Sequence, residues 1–158
     1  MDEMEKQLRR AAYNAECLTL IAHYGWMVQG VFPTQDTEPN QRYEFCYTVG
    51  LADKGLPEFI EYGLNLESGK VTLNDLAKRA AGGELFAPGV LIEFQNDYHG
   101  MLIEADDLSD LTLARYFYGE DIRAFQLVFE DLEHRWPNDP GYGFKDLPIL
   151  GRFPTTHH

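Results

Sequence analysis

The sequence predicts a single α+β domain built on a mainly antiparallel sheet of about six strands with about three helices. Three observations lead there. Short runs rich in β-branched and aromatic residues alternate with period two, other stretches carry apolar residues at three- and four-residue spacing, and Gly, Pro or Asn-Asp punctuation separates them. With 158 residues, 44% of them hydrophobic, the chain is long enough to bury a conventional core without a disulfide or metal staple.

From Met4 to Ala22 the apolar positions Met4, Leu8, Ala11, Ala15, Leu18 and Ala22 recur four and three apart, the stripe of an amphipathic helix. His23 in the last turn and Gly25 just beyond supply its stop. The runs 26–32 and 43–49 are β-rich and predict a wide hairpin across the polar, acidic stretch from Thr34 to Arg42. A third strand, 59–64, follows the Gly55-Leu56-Pro57 breaker. A second helix over 67–81 should stop at Gly82-Gly83 and bury Val71, Leu73, Leu76 and Ala80. The segments 90–95 and 99–105 alternate around Asn96-Asp97, a hairpin signal. Asp107 or Ser109 is placed to cap a third helix ending at Gly119. The run 122–130 is apolar on both faces and predicts a central strand. From about residue 132 the chain turns irregular and rich in Pro and Gly, a tail expected to wrap over the sheet. No linker divides residues 1–158, and His157 and His158 read equally as native or as remnants of a purification tag.

Twenty-six acidic against 13 basic side chains give a formal charge of −13. Such a surface repels polyanions at long range, so nucleic acid is excluded as a partner. No apolar run is long enough to span a bilayer, and the acidic start MDEMEKQLRR does not resemble a signal peptide, so a soluble cytoplasmic protein with no membrane partner is expected. The acid excess reads as solubility first and as steering of a basic partner second.

Cys17 and Cys46 have no redox spacing and read as small core residues. Phosphate-cradling loops, dinucleotide fingerprints and nucleophile elbows are absent, so no cofactor is expected. No metal is expected either, because a site would need His23, His99 and His134 to converge from separate elements. Gln29, Cys46, Thr48 and Gln126 are polar residues within apolar strands. Sharing one face they would line a pocket; the simpler reading puts Gln29 and Thr48 on a solvated face. His23 reads as a helix-end cap or, beside a nucleophile such as Cys46, as a general base. Tyr116, Phe117, Tyr118, Trp136 and Tyr142 read as packing, with Arg115 placed to pin the tail through Asp131 or Asp139.

His23-Tyr24-Gly25-Trp26, Phe45-Cys46-Tyr47-Thr48-Val49-Gly50-Leu51, Gly55-Leu56-Pro57-Glu58-Phe59, Leu73-Asn74-Asp75-Leu76, Phe125-Gln126-Leu127-Val128-Phe129 and Pro137-Asn138-Asp139-Pro140-Gly141-Tyr142 run in order from about residue 20 to residue 143. Together they resemble the bacterial and phage family called domain of unknown function 4262. The chain departs from that pattern at Leu56, where the family more often has His, and at Phe129-Glu130-Asp131, where it has Trp-Pro-Asp. The resemblance implies a small stand-alone protein without an established activity. Carried over position by position, it marks His23, Trp26, Tyr47, Thr48, Gln126, Asp139 and Tyr142 as ligand-binding candidates.

The function read from these observations is non-enzymatic binding or regulation, of the immunity or host-interaction kind, toward an unidentified protein or small molecule. The alternative is a small-molecule site or enzyme with a pocket around His23, Thr48 and Gln126, with His23 as acid/base and Tyr47 or Trp26 stacking on the ligand. A homodimer is compatible with either.

Overall fold

The strongest apolar run lies at the middle of the sheet. In the computed structural model, which describes residues 2–32, 43–94, 99–144 and 147–154, β6 (Ala124–Phe129) is buried along its whole length, between β3 (Glu58–Tyr62) and β5 (His99–Glu104). The full strand order is β1-β2-β3-β6-β5-β4, with β1 at Met27–Val31, β2 at Phe45–Val49 and β4 at Leu91–Glu93. All neighbours are antiparallel except β3 and β6, whose parallel register sets Phe59 beside Phe125. Among the described residues the fold is therefore α+β with three α-helices and a six-stranded mixed sheet, as the sequence predicts. The Thr34–Arg42 loop, the Asn96-Asp97 turn and His157-His158 lie outside the described residues.

The two faces of the sheet are covered differently. Helix α2 (Leu66–Ala81), capped by the Asn65 side chain on the Ser68 N–H at 2.8 Å, sinks Leu73, Leu76, Ala77 and Ala80 onto Phe59, Leu102, Phe125 and Leu127. Val71, expected on that side, is 68% exposed, because the buried arc runs through Gly69, Leu73, Leu76 and Ala80. On the opposite face, α3 (Thr112–Tyr118), the C-terminal half of α1 (Glu3–Tyr24) and Leu150 of the tail pack on Tyr47, Val49, Ile60 and Ala124. Helix α1 ends as expected, with Gly25 at φ 94° donating to the Ile21 carbonyl.

Three local expectations change. The α1 stripe of Met4, Leu8, Ala11, Ala15, Leu18 and Ala22 is exposed, and the residues that α1 buries are Cys17 and Ile21. Neither Asp107 nor Ser109 caps α3; Asp107 folds back on the Ser109 N–H and hydroxyl at 3.0 and 2.6 Å. The Tyr47 hydroxyl instead accepts the Leu113 N–H at 2.9 Å, one of the donors that the first turn leaves without a helical partner. Arg115 does not reach the tail: it pairs with Glu120 at 2.8 Å, and Arg135 takes Asp131.

Candidate functional site

The most specific stretch of sequence, Tyr47 to Leu51, builds an internal network. The Thr48 hydroxyl, fully buried, donates to Glu58 at 2.8 Å and accepts the Phe59 N–H at 2.8 Å. The Glu58 carboxylate also receives the N–H groups of Gly50, Leu51 and Ala52 at 3.0, 3.2 and 3.0 Å. Those donors open the 3₁₀ turn Leu51–Lys54, which has no side-chain cap of its own, so Glu58 caps it from the neighbouring strand. Burial pushes the Glu58 carboxyl above its ordinary range, against the pull of these hydrogen bonds. Gly50, at φ 125°, lies under the end of α1: a Cβ there would come within 2.9 Å of the Gly25 carbonyl and the Trp26 Cα. Two of the motif segments thus meet backbone to backbone. A third joins them where the Trp26 indole donates to Asn74 at 3.0 Å.

A second buried carboxylate, Glu61, stands opposite Cys46 in the β2–β3 register and accepts the Cys46 thiol at 3.0 Å and the Leu64 N–H at 3.3 Å. Helix α2 crosses this pair at Gly69, where any Cβ would strike both the Glu61 carboxylate and the Cys46 sulfur. Burial raises Glu61 to about 7. Burial and the Glu61 charge push the Cys46 thiol up as well, so Cys46 is a protonated hydrogen-bond donor, opposite in character to an activated nucleophile.

Gln126 holds the tail. Its amide donates to the Pro148 carbonyl at 2.8 Å and accepts the Leu150 N–H at 2.8 Å, imitating a strand pairing, and Ala105 and Gly151 form a bridge beyond it. The tail therefore wraps the sheet as predicted. The Tyr142 hydroxyl donates to the Phe129 carbonyl at 2.7 Å, and Asp139 accepts the Trp136 N–H at 2.8 Å. Asp131, buried nearby, collects the N–H groups of Glu133, Arg135 and Gly143 together with the Arg135 guanidinium. Burial alone would raise its carboxyl, but the backbone donors from Arg135 and Gly143 and the guanidinium outweigh it and hold the group at about 2. Glu130 meets the His99 and His134 rings at 3.1 and 3.3 Å, and no metal-holding group occurs among the described residues.

The candidates from the sequence do not assemble into one pocket. His23 is exposed, its ring set edge-on to Tyr24 at 4.4 Å, whereas Thr48 and Gln126 are buried and committed to internal partners. Thr48 does not lie on a solvated face. Of the seven, Tyr47 lines a cleft of about 470 Å³ between α1, β1 and α3. Its other polar lining is Arg10, Tyr13, Asn14, Gln29, Thr112 and Tyr116, with the Tyr13 hydroxyl donating to the Gln29 side-chain oxygen. Asp139 and Tyr142 edge a smaller cleft of about 260 Å³ beside the tail.

Sequence reasoning passed over Glu58 and Glu61 as roles, and it passed over the α1 side of the cleft. A signal existed for each. Glu58 and Glu61 interrupt an apolar strand, and Arg10, Asn14, Cys17 and Ile21 form a second stripe at four- and three-residue spacing beside the more apolar one.

These features define a small α+β protein in which Thr48, Gln126 and Tyr142 are engaged in internal hydrogen bonds and a polar cleft opens between α1, β1 and α3. The chain belongs to the family described as domain of unknown function (DUF4262), which it matches over residues 20–143. It is also similar to the large ribosomal subunit proteins uL18B and uL18A of Schizosaccharomyces pombe, 28% identical to each over 101 residues, which is 63% of this chain. The matched stretch spans 33% of those proteins' length. No solved structure matches the chain. Among the described residues no helix is long and apolar enough to cross a membrane.

Proposed function

We propose that this protein is a cytoplasmic, non-enzymatic binding protein of bacterial or phage origin, of the immunity or host-interaction kind, that meets its partner at the cleft between α1 and α3. One observation carries this reading: among the described residues every buried polar side-chain atom already has a hydrogen-bond partner within the protein. The groups that an enzymatic reading would use, Thr48 and Gln126, are spent on Glu58 and on the tail, and His23 stands apart in solvent. A cleft walled by three tyrosines, Asn14, Gln29 and Thr112 offers hydroxyl and amide contacts without a nucleophile or a poised base. A ribosomal role like that of the uL18 proteins is not part of this proposal, because a chain of charge −13 is poorly suited to a polyanionic neighbour.

The test is a fragment and short-peptide titration of the labelled protein followed by amide chemical shifts, with each compound's integrity checked by mass spectrometry. Perturbations concentrated at Arg10, Asn14, Thr112 and Tyr116, lost in Tyr116→Ala and retained in His23→Ala, are expected. Conversion of any compound that depends on His23 would overturn the reading.

A further inference from the structure

We infer that α1 is a self-association element, pairing antiparallel with α1 of a second copy through the stripe Met4, Leu8, Ala11, Ala15, Leu18 and Ala22. The spacing of these six positions, alternately four and three, is a heptad seam of period 3.5 sustained along the helix. At roughly 100° per residue the seam lies about 120° around the helix from Cys17 and Ile21, the residues that seat α1 on its own sheet. The contacts that seat α1 on the sheet therefore leave the seam uncovered among the described residues. Met4 is 71% exposed, Leu8 65% and Leu18 47%, and residues 2–13 are exposed throughout. A bare helical half of that length is marginal in water by local propensity alone, which calls for a packing partner.

Two features select a second copy as that partner. The first is self-complementarity. A two-fold axis near Tyr13 sets Met4 against Ala22, Leu8 against Leu18 and Ala11 against Ala15, so the leucines meet each other and the alanines beside the axis allow close approach. The flanking positions then place Glu5 beside Thr19 and Ala12 beside its own copy, with no like charges opposed. The second is charge. Residues 2–24 hold four acids and three bases, so nearly all of the −13 lies elsewhere, and α1 is the part of an acidic molecule that another copy can approach with least repulsion. Six seam residues with Gln7, Ala12 and Thr19 beside them fall short of the roughly 20–30 residues a side of a standard interface, which points to association in the micromolar range. Arg10 and Tyr13 lie roughly 120° and 180° around the helix from the seam and Asn14 roughly 80°, so pairing leaves the α3 and β1 walls of that cleft open and the two proposals stand or fall separately.

The experiment is sedimentation equilibrium of the full chain over a wide concentration range, alongside Leu8→Glu and Leu18→Glu. The wild type should pass from monomer to dimer, and either variant should weaken the dimer by tenfold or more while the far-ultraviolet spectrum and the thermal midpoint of the monomer stay the same. Orientation is read by mixing Ala11→Cys with Ala15→Cys chains under mild oxidation: an antiparallel seam gives the mixed disulfide in preference to either like-with-like product. A wild type that stays monomeric at the highest concentration, a dimer indifferent to both glutamates, or like-with-like cross-linking would each overturn the inference.

Discussion

Helices α1 and α2 carry equally legible apolar stripes and meet opposite fates. Helix α2 turns Leu73, Leu76, Ala77 and Ala80 onto the sheet and comes close enough at Gly69 to touch the Cys46–Glu61 pair. Helix α1 seats itself with Cys17 and Ile21 and leaves its more regular stripe in water. Periodicity identifies a helix with an apolar side; which surface covers that side is a property of the assembled fold or of a partner.

The sharpest way to break this comparison is to truncate one leucine on each helix. Leu76→Ala should cost ~2–5 kcal/mol in urea denaturation, the range for a fully buried leucine. Leu8→Ala should leave monomer stability within ~0.5 kcal/mol, as an exposed site would. Equal losses would mean that α1 is packed after all.

The next effect is electrostatic and belongs to the face under α2. Glu61, at about 7 in the folded protein, holds a proton that an unfolded carboxyl gives up near ~4.3, so its contribution is full at low pH and declines as pH rises toward 7. Glu61→Gln should flatten that decline, worth roughly 2–3 kcal/mol between about pH 4.5 and 8 by the pKa-to-energy conversion. Asp131 acts with the opposite sign: its contribution is present above the ordinary aspartate range and is lost as pH falls toward 2. Denaturation midpoints across pH, with and without Glu61, check both signs. A smaller loss, ~1–3 kcal/mol, is expected for Thr48→Val, which leaves the Phe59 N–H without its acceptor and takes one of two donors from a Glu58 oxygen that keeps the Leu51 N–H. An unchanged midpoint there, together with altered ligand binding, would move Thr48 from the framework into the site.

The central position of β6, the three helices, the tail over the sheet and the approximate places of the strands follow from local signals that reach no further than a turn of helix or a few alternating residues: the apolar run 122–130, the Gly25 and Gly82-Gly83 helix stops, and the Pro and Gly density after about residue 132. The motif order across residues 20–143 was equally visible and fixes the family. What those motifs are for was decided only in three dimensions. Thr48 and Gln126 looked like site residues because polar side chains in strands need partners, and the partners are Glu58 and the tail, 10 and 22–24 residues away. The α1 stripe looked like core because spacing carries no information about which surface a helix will face. A sequence determines periodicity and capping through contacts a few residues apart, whereas burial, the pairing of Glu61 with Cys46 and the cleft beside Tyr47 depend on distant segments meeting, and only the packed chain brings them together.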